Sequence, residues 1–236
     1  MAWSFVGSTD LGNVHSGARS VTAGNLLLAI YINGLHTDVP TLSDGVNTWT
    51  KIGITFDDAS NDNTATWWWA PASTTASITP VVANITGADE GMAILEWHSS
   101  LGAVPANSLG PESRFQQTGP PTTTDAVTSN SVSAPSSDGA LLLSWVSNYN
   151  SGANTETAGT GFTDRFTGTA GNIIRLEEFI QSTAAAKAGT WTVSVSTNYV
   201  TFAAFFTEAA GGAGQPAARR IAQETPGLAV GSVRRM

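Results

Sequence analysis

The sequence predicts an all-β protein: a single two-layer β-sandwich, jelly-roll-like, of about ten to twelve strands built from two similar halves, with an extended C-terminal tail. Three observations predict this class. Short segments rich in β-branched and aromatic residues recur along the 236 residues, separated by clusters of Gly, Asn, Asp, Pro and Ser. No segment has a strong period of 3.6 residues, which would indicate an amphipathic helix. The strand-like segments also occur twice in the same order.

The predicted strands are short and bounded by turn residues. They are Trp3–Ser8, Leu26–Asn33, Trp49–Phe56, Thr64–Ala70, Ser77–Ile85, Met92–Trp97, Asn130–Ala134, Leu141–Asn148, Phe162–Thr167, Ile173–Gln181, Thr190–Ser196 and Tyr199–Thr207. The clearest alternation is TWTVSVS at 190–196, which places Trp191, Val193 and Val195 on one face and Thr or Ser on the other. This pattern is typical of a half-buried strand.

The two halves align segment by segment. The predicted equivalences are Gly24–Leu26 with Gly139–Leu141, Trp49–Lys51 with Phe162–Asp164, Trp67–Ala70 with Leu176–Phe179, Ser77–Ile85 with Thr190–Ser196, and Met92–Trp97 with Thr201–Phe206. Each half offers about five strands, and five short strands bury little apolar surface by themselves. We therefore favour one domain with a shared core over the alternative of two separate small domains.

The predicted domain spans residues 1–208, with halves at about 20–98 and 130–207. The segment 99–129 is rich in Pro, Gly and Thr, and a connection of this length indicates either a functional loop or a crossover between the halves. Residues 209–236 begin with a Gly-rich hinge and form the predicted C-terminal arm.

The charge of the chain is low and uneven. Charged residues make up 12% of the sequence and the net charge is −8, which argues against a nucleic-acid-binding protein because such proteins neutralise phosphates with Lys and Arg. The C-terminal segment is basic and carries Arg219, Arg220, Arg234 and Arg235. A basic arm on an acidic body predicts that these arginines dock onto a protein partner or a neighbouring subunit.

Several classes of protein are disfavoured by simple absences in the sequence. There is no cysteine, so disulfides and thiolate metal sites are excluded. The first twenty residues lack both a basic region and a long apolar stretch, which predicts that they are not a secretory signal and that the protein is made in the cytoplasm of its producer. No run approaches the roughly 18 apolar residues of a membrane helix, so no membrane partner is expected.

The triplet Trp67-Trp68-Trp69 allows two interpretations. On a strand, Trp67 and Trp69 point to one face and Trp68 to the other. The favoured interpretation is that these rings fill the core or a subunit contact. The alternative is a platform for a sugar ring, with Trp68 as the stacking residue, because an apolar ring face packs on the C–H bonds of a sugar.

The remaining polar clusters do not predict catalysis or a metal site. The turn at 57–63 gathers Asp and Asn oxygens, but its spacing does not match a calcium loop and turns favour these residues in any case. Adjacent glutamates at Glu177 and Glu178 point to opposite faces of a strand, so they cannot act together; Glu178 with Glu96 is the remaining carboxylate pair for a glycoside hydrolase. The histidines, His15, His36 and His98, have no ligand spacing. We therefore expect no enzyme activity, no metal and no cofactor.

The order of motifs resembles a known type of module. A TAGNLLLA strand, then SDGVNTWTKIG, then aromatic strands ending in AILEWHS, and a second half ending in AAFF are similar to β-sandwich modules of tailed-phage structural proteins and some bacterial surface proteins. The resemblance covers roughly residues 20–207. It implies a non-enzymatic virion component and brings no catalytic residues with it. The bacterial relatives tend to be secreted, so the lack of a signal favours the phage side.

The sequence thus predicts a phage virion structural protein, a capsid decoration or a tail or fibre component, which docks onto capsid or tail subunits and forms a homo-oligomer. The alternative is a carbohydrate-binding or host-adhesion module that contacts a glycan through Trp68. A buried Trp68 would exclude the alternative, and the two interpretations can coexist on one virion.

Overall fold

The computed structural model describes residues 3–12, 16–34, 39–58, 63–85, 90–105, 107–117, 125–148, 156–168, 173–193 and 199–208. These residues form eighteen β-strands and contain no helix, so the predicted all-β class is confirmed. In the same residues no helix long and apolar enough to cross a membrane is present. The strands are β1 (Trp3–Gly12), β2 (Arg19–Val21), β3 (Leu26–Asn33), β4 (Thr41–Ser43), β5 (Thr50–Lys51), β6 (Phe56–Asp58), β7 (Asn63–Pro71), β8 (Ala76–Ile78), β9 (Val81–Ala83), β10 (Glu90–Ser99), β11 (Leu109–Gln117), β12 (Asp125–Thr128), β13 (Leu141–Asn148), β14 (Glu156–Ala158), β15 (Thr163–Thr167), β16 (Ile173–Ile180), β17 (Thr190–Val193) and β18 (Tyr199–Phe206).

Two large antiparallel sheets dominate the structure. The N-terminal sheet has the strand order β1-β10-β3-β7-β5, and β6 also pairs with β7. The C-terminal sheet has the order β11-β18-β13-β16-β15. Each sheet therefore begins with the first strand of its half, continues with the last strand of that half, and has the leucine-rich strand at its centre. The two halves share one topology.

Three small sheets lie outside the large ones. In the N-terminal half β2 pairs with β8 and β4 pairs with β9, and in the C-terminal half β12, β17 and β14 form a three-stranded sheet. Two isolated bridges match strand pairs of the other half. The bridge of Ser16 with Val81 in the N-terminal half corresponds to the pairing of β12 with β17. The bridge of Val132 with Lys187 in the C-terminal half corresponds to the pairing of β2 with β8. The duplication thus extends beyond the large sheets.

Strand register confirms the predicted alignment of the central strands. Leu26 on β3 lies opposite Trp97 on β10, and Leu141 on β13 lies opposite Phe206 on β18. The equivalence holds along the whole of both pairs, because each runs antiparallel without a register shift from its leucine onward. Met92–Trp97 and Thr201–Phe206 therefore occupy the same positions, as the sequence predicts.

The neighbouring strands agree with the alignment as well. Trp67–Ala70 on β7 and Leu176–Phe179 on β16 pair with equivalent stretches of β3 and β13. Thr50 lies opposite Trp69 and Thr163 opposite Glu178, so the aromatic–Thr starts of β5 and β15 also correspond. The repeat in the sequence is a repeat of strand positions.

Both large sheets are buried on both faces. One apolar cluster lies between them and takes alternate residues of each central strand, namely Leu26, Leu28 and Ile30 from β3 and Leu141, Leu143 and Trp145 from β13. The other face of the N-terminal sheet packs on the small sheets through Ala29, Tyr31, Trp68, Val82, Met92 and Ile94. Separate clusters cover the outer face of the C-terminal sheet. The predicted single two-layer sandwich is therefore not confirmed, because apolar layers lie on both sides of each large sheet.

An approximate two-fold relation connects the contacts between the large sheets. Trp97 on β10 donates through Nε1 to Glu178 Oε2 on β16, at 2.6 Å. At the equivalent place, Phe206 on β18 meets Trp69 on β7 with ring centroids 6.0 Å apart. Strand β10 faces β16 at one end of the interface, and β18 faces β7 in the same way at the other end. The backbone arrangement is alike at the two ends, and the side chains in contact differ.

Equivalent glycines precede the two leucine runs. Gly24 and Gly139 have φ values of 86° and 78°, and each donates its N–H across the turn, to Ala72 O and Gln181 O respectively, at 2.8 Å. Positive φ is costly for residues with a Cβ, which explains glycine at both positions. The carbonyl of Gly139 also accepts from Trp3 Nε1 at 3.1 Å, which ties the first strand to the second half.

The segment between the halves contains strands that the sequence did not predict. Residues 99–129 include β11, which is the edge strand of the C-terminal sheet, and β12, which belongs to the three-stranded sheet. The second half therefore begins near Leu109 and not near residue 130. The predicted strand Asn130–Ala134 is reduced to the bridge at Val132. The arm at 209–236 lies outside the described residues.

Candidate functional site

At three equivalent buried positions, one half has a glutamate and the other an aromatic residue. Register places Glu96 at the position of Phe205, Glu177 at that of Trp68 and Glu178 at that of Trp69. All three glutamates are at most 4% exposed. Burial of a carboxylate is costly unless it is hydrogen-bonded, so each glutamate requires local partners that its aromatic counterpart does not.

Glu178 lies at the junction of the two halves. It accepts a hydrogen bond from Trp97 of the N-terminal half and forms an ion pair with Arg165 on β15. The Arg165 guanidinium also lies over the ring of Phe5, 5.3 Å from its centroid. The carboxylate therefore joins three strands, β10, β15 and β16, across the interface.

A β-bulge provides the arginine. Register along β15 shifts between Asp164 and Phe166, so Arg165 is the additional residue of the bulge. In the N-terminal half, Ile52 and Trp67 occupy the places of Phe166 and Leu176, and the N–H of Ile52 donates to Trp67 O at 3.0 Å. Thr50 and Ile52 are therefore separated by one residue, and there is no bulge. Bulges commonly redirect a side chain next to a functional site. Arg165 thus has no counterpart in the N-terminal half.

A cleft opens beside this ion pair. It has a volume of about 630 Å³ and is lined by Ser4 and Phe5 of β1 and by Thr163, Arg165, Glu178 and Phe179 of the C-terminal half, among others. The hydroxyls of Ser4 and Thr163 are exposed, and the rings of Phe5 and Phe179 are half-buried. The cleft therefore combines an ion pair, hydroxyl groups and apolar side chains where two halves meet.

Glu177 points to the opposite face and holds the three-stranded sheet against the C-terminal sheet. Its carboxylate accepts from Thr190 N at 2.9 Å and from Gly159 N at 3.0 Å. Burial raises the pKa of Glu177 to about 8, while these N–H groups and the hydroxyl of Ser144 oppose the shift. The arrangement fixes the position of the outer sheet and leaves no water-exposed oxygen for acid–base work.

Glu96 is the centre of a network in the N-terminal half. Its oxygens accept from Asn25 Nδ2 at 2.7 Å and Thr22 N at 2.8 Å, and Arg19 Nη2 lies at 3.3 Å. Burial lowers the pKa of Arg19, and the charge of Glu96 opposes this shift. Since Asn25 donates to Glu96, its Oδ1 faces His98 Nδ1 at 3.0 Å, which assigns a proton to that ring nitrogen.

These contacts show that the three buried glutamates do not form a carboxylate pair with one another. Glu177 and Glu178 lie on opposite faces of β16, as the sequence predicts, because one bonds to the outer sheet and the other to Trp97. Glu96 and Glu178 have no partner in common among the described residues. The described residues also contain no group of three or more His, Asp or Glu placed to hold a metal ion.

The burial of Trp68 excludes the alternative interpretation of this residue as a sugar platform. This ring is 2% exposed and packs with Tyr31, Val82 and Met92 beneath the small sheets. A buried ring has no face free for a sugar, so the interpretation of Trp68 as a stacking residue is wrong. Trp67 and Trp69 are also buried, in the cluster between the large sheets, which agrees with the core interpretation of the triplet.

Other candidate residues lie outside the described residues. They are the docking arginines Arg219, Arg220, Arg234 and Arg235 and the histidines His15 and His36. The last described residue before the arm is Glu208, which accepts a hydrogen bond from Ser99 at the end of β10. This contact places Glu208 beside the N-terminal half.

Sequence reasoning did not identify Arg165 or the cleft. A signal was present in the predicted alignment of Trp67–Ala70 with Leu176–Phe179, which sets Glu177 and Glu178 against two tryptophans. Such an exchange at repeated positions marks the sites where the halves differ in chemistry. The bulge that adds Arg165 leaves no comparable mark in the sequence.

Comparison of the chain with protein-family models, with curated proteins and with solved structures found no match.

Proposed function

We propose that the protein is a structural component of a phage virion, a capsid decoration or a tail or fibre subunit, which acts by docking onto neighbouring subunits. The observation that carries the proposal is that the three buried glutamates on the strands beside the central ones bond within the scaffold. Glu96, Glu177 and Glu178 hold strands together, and among the described residues none of them is paired with another carboxylate. Acidic groups used in this way suit a protein whose task is to keep its shape.

The finer architecture of the proposal follows from the layers. We infer that each half is a jelly-roll-like sandwich made of its large sheet and its own small sheets, and that the two sandwiches are joined through the central cluster. Residues 209–236 would extend from this body at Glu208 as a docking arm, with Arg219, Arg220, Arg234 and Arg235 contacting acidic capsid or tail subunits. Such arms increase the contact area between copies in a symmetric assembly.

The experiment is to look for the protein in purified particles. Mass spectrometry and immunogold electron microscopy of gradient-purified virions should find it at a fixed ratio to the major capsid or tail protein. Its presence only in the particle-free fractions of the lysate would contradict the proposal.

The docking arm has its own test in the full chain. Substitution of all four arginines by Gln should reduce incorporation into particles, whereas substitution of the same four by Lys should preserve most of it, because the charge is kept. Equal incorporation of the Gln variant and the unmodified chain would show that the arm does not dock through its charge.

A further inference from the structure

We propose that the cleft between β1 and β15 binds a neutral saccharide, recognised by Arg165, Glu178 and Thr163. The site lies at the junction of the halves and not at Trp68. It goes beyond a structural role, since a virion subunit with such a site would also contact a glycan.

An ion pair at the junction takes the place of an aromatic residue. At the equivalent end of the interface, Trp69 and Phe206 fill the space with two aromatic rings. Replacing a buried ion pair by apolar side chains is often neutral or stabilising, so the partly exposed pair formed by Glu178 and Arg165 joins strands but is also available for a further role. Departures from what the scaffold needs are expected at functional sites.

The size and position of the cleft also support a ligand site. Its volume of about 630 Å³ is in the range of roughly 300–1,000 Å³ that is typical of small-molecule sites. Ligand sites also occur preferentially where two structural units meet, and this cleft takes one wall from β1 and the other from β15 and β16. The bulge in β15 positions the arginine along that wall.

The chemistry of the walls selects the class of ligand. Arg165 provides only donors and Glu178, when ionised, only acceptors, and the two side chains lie in contact. A charged ligand would meet a like charge on one of them, whereas neighbouring hydroxyls of a sugar can accept from one and donate to the other. Thr163 lies directly opposite Glu178 and adds an exposed hydroxyl.

Apolar side chains complete the match to a sugar. Phe5 and Ile180 are half-buried at the walls of the cleft, which Phe179 also lines while its ring packs on Phe162. A pyranose ring presents C–H bonds on its faces and hydroxyls at its rim, so it suits a cleft with apolar walls and a polar ion pair. A purely apolar ligand would instead leave the ion pair without water or partners, at a cost.

The experiment uses the full chain on a glycan array, followed by saturation-transfer NMR and titration with the glycans that bind. Trp97 provides a second readout, because its indole N–H is bonded to Glu178 and its fluorescence should respond to occupancy of the cleft. We expect Thr163→Val to weaken binding about fivefold and Arg165→Met about tenfold or more, as losses of one and of several hydrogen bonds.

Thr50→Val is the matched control. Thr50 is exposed and lies opposite Trp69, which is the position that Thr163 has opposite Glu178 in the other half. This variant should bind within about twofold of the unmodified chain. If Arg165→Met does not fold, as judged by circular dichroism, then Thr163→Val and Ser4→Ala decide the matter.

Two results would overturn the proposal. One is the absence of binding to any glycan both on the array and by saturation transfer. The other is glycan binding that Thr163→Val and Arg165→Met leave unchanged, which would place the sugar elsewhere on the surface. Incorporation into particles is measured separately, so failure here and failure of the proposed virion role are distinguishable.

Discussion

The two halves have the same strand order and register, yet they differ in how they fill three equivalent buried positions. One half uses Phe205, and the other uses Glu96, at the same point of the strand next to the centre. The tryptophans of β7 stand where β16 has Glu177 and Glu178. One backbone thus accepts either an aromatic ring or a carboxylate, provided that the surroundings of the carboxylate also change.

The three glutamates are accommodated by three different means. Glu96 has the guanidinium of Arg19 and an asparagine amide, Glu177 has backbone N–H groups of the outer sheet, and Glu178 has an indole N–H and the bulge arginine Arg165. The comparison teaches that a buried acid in this fold depends on its local partners. The same acid at an equivalent position without those partners should be poorly tolerated.

The strongest test is to place a carboxylate where the N-terminal half has no partner for it. Trp69→Glu should destabilise the protein by about 5 kcal/mol or more, because the ring contact with Phe206 is lost and the new charge has no bulge arginine beside it. Chemical denaturation measures the loss. Trp69→Phe is the control for the smaller ring, and a loss below about 1 kcal/mol in Trp69→Glu would break the comparison.

The pH dependence of stability tests Glu177. Its pKa is about 8 in the folded protein and near 4.5 when unfolded, so the unfolded chain releases this proton first as the pH rises. The contribution of Glu177 to the free energy of unfolding is therefore full below pH 4.5, falls between pH 4.5 and 8, and is constant above. The expected fall is on the order of 5 kcal/mol.

Glu177→Gln isolates this contribution because glutamine does not titrate. The difference in unfolding free energy between the unmodified chain and this variant should change with pH between 4.5 and 8 in thermal or denaturant unfolding. A constant difference over that window would show that Glu177 keeps an ordinary pKa in the folded state, as a carboxylate bonded to two backbone N–H groups.

A double-mutant cycle tests the ion pair of the junction. Arg165→Met should destabilise by about 2 kcal/mol, less than a fully buried pair, because the arginine side chain is 32% exposed. Arg165→Met combined with Glu178→Leu should recover most of that loss, since no unpaired carboxylate remains. If the double variant were as unstable as the sum of the single ones, the two residues would be independent.

The smallest expected effect compares the two glycines that precede the leucine runs. Both have positive φ, but a Cβ on Gly24 would lie 3.2 Å from the Cα of Ala103, whereas a Cβ on Gly139 would meet nothing within 4 Å. Gly139→Ala should cost about 1 kcal/mol for the backbone conformation, and Gly24→Ala about 2 kcal/mol. Equal melting temperatures of the two variants would show that the close approach of Ala103 to Gly24 does not add to the cost.

The strands and their repeat could be predicted from the sequence, whereas the single two-layer sandwich is not confirmed. The run at Leu26–Asn33 is apolar without alternation, and the strand is buried along its whole length because both faces of its sheet are covered. In contrast, β17 alternates, with Trp191 and Val193 buried and Thr192 exposed, because it belongs to an outer sheet. The missing alternation in the central strands was the sign of additional layers.

The candidate site was less accessible to prediction, for physical reasons. The alternative of a sugar platform at Trp68 stayed open because composition alone does not show which face of a strand a small sheet covers. The cleft depends on Arg165, whose placement requires a bulge. It also depends on contacts between strands far apart in the sequence, such as that of Trp97 with Glu178. Neither a register shift nor a contact between sheets can be derived from local spacing.

The two-fold relation between the halves is that expected if the chain arose by fusion of two copies of one half. Two copies of one half, associated about a two-fold axis, would form a symmetric dimer in which every substitution occurs twice. Fusion of the copies into one chain allows each end of the interface to change independently. The aromatic contact of Trp69 with Phe206 could then be kept at one end while Glu178 and Arg165 arose at the other. Sedimentation analysis of a separately expressed N-terminal half would test this history, because such a half should form dimers.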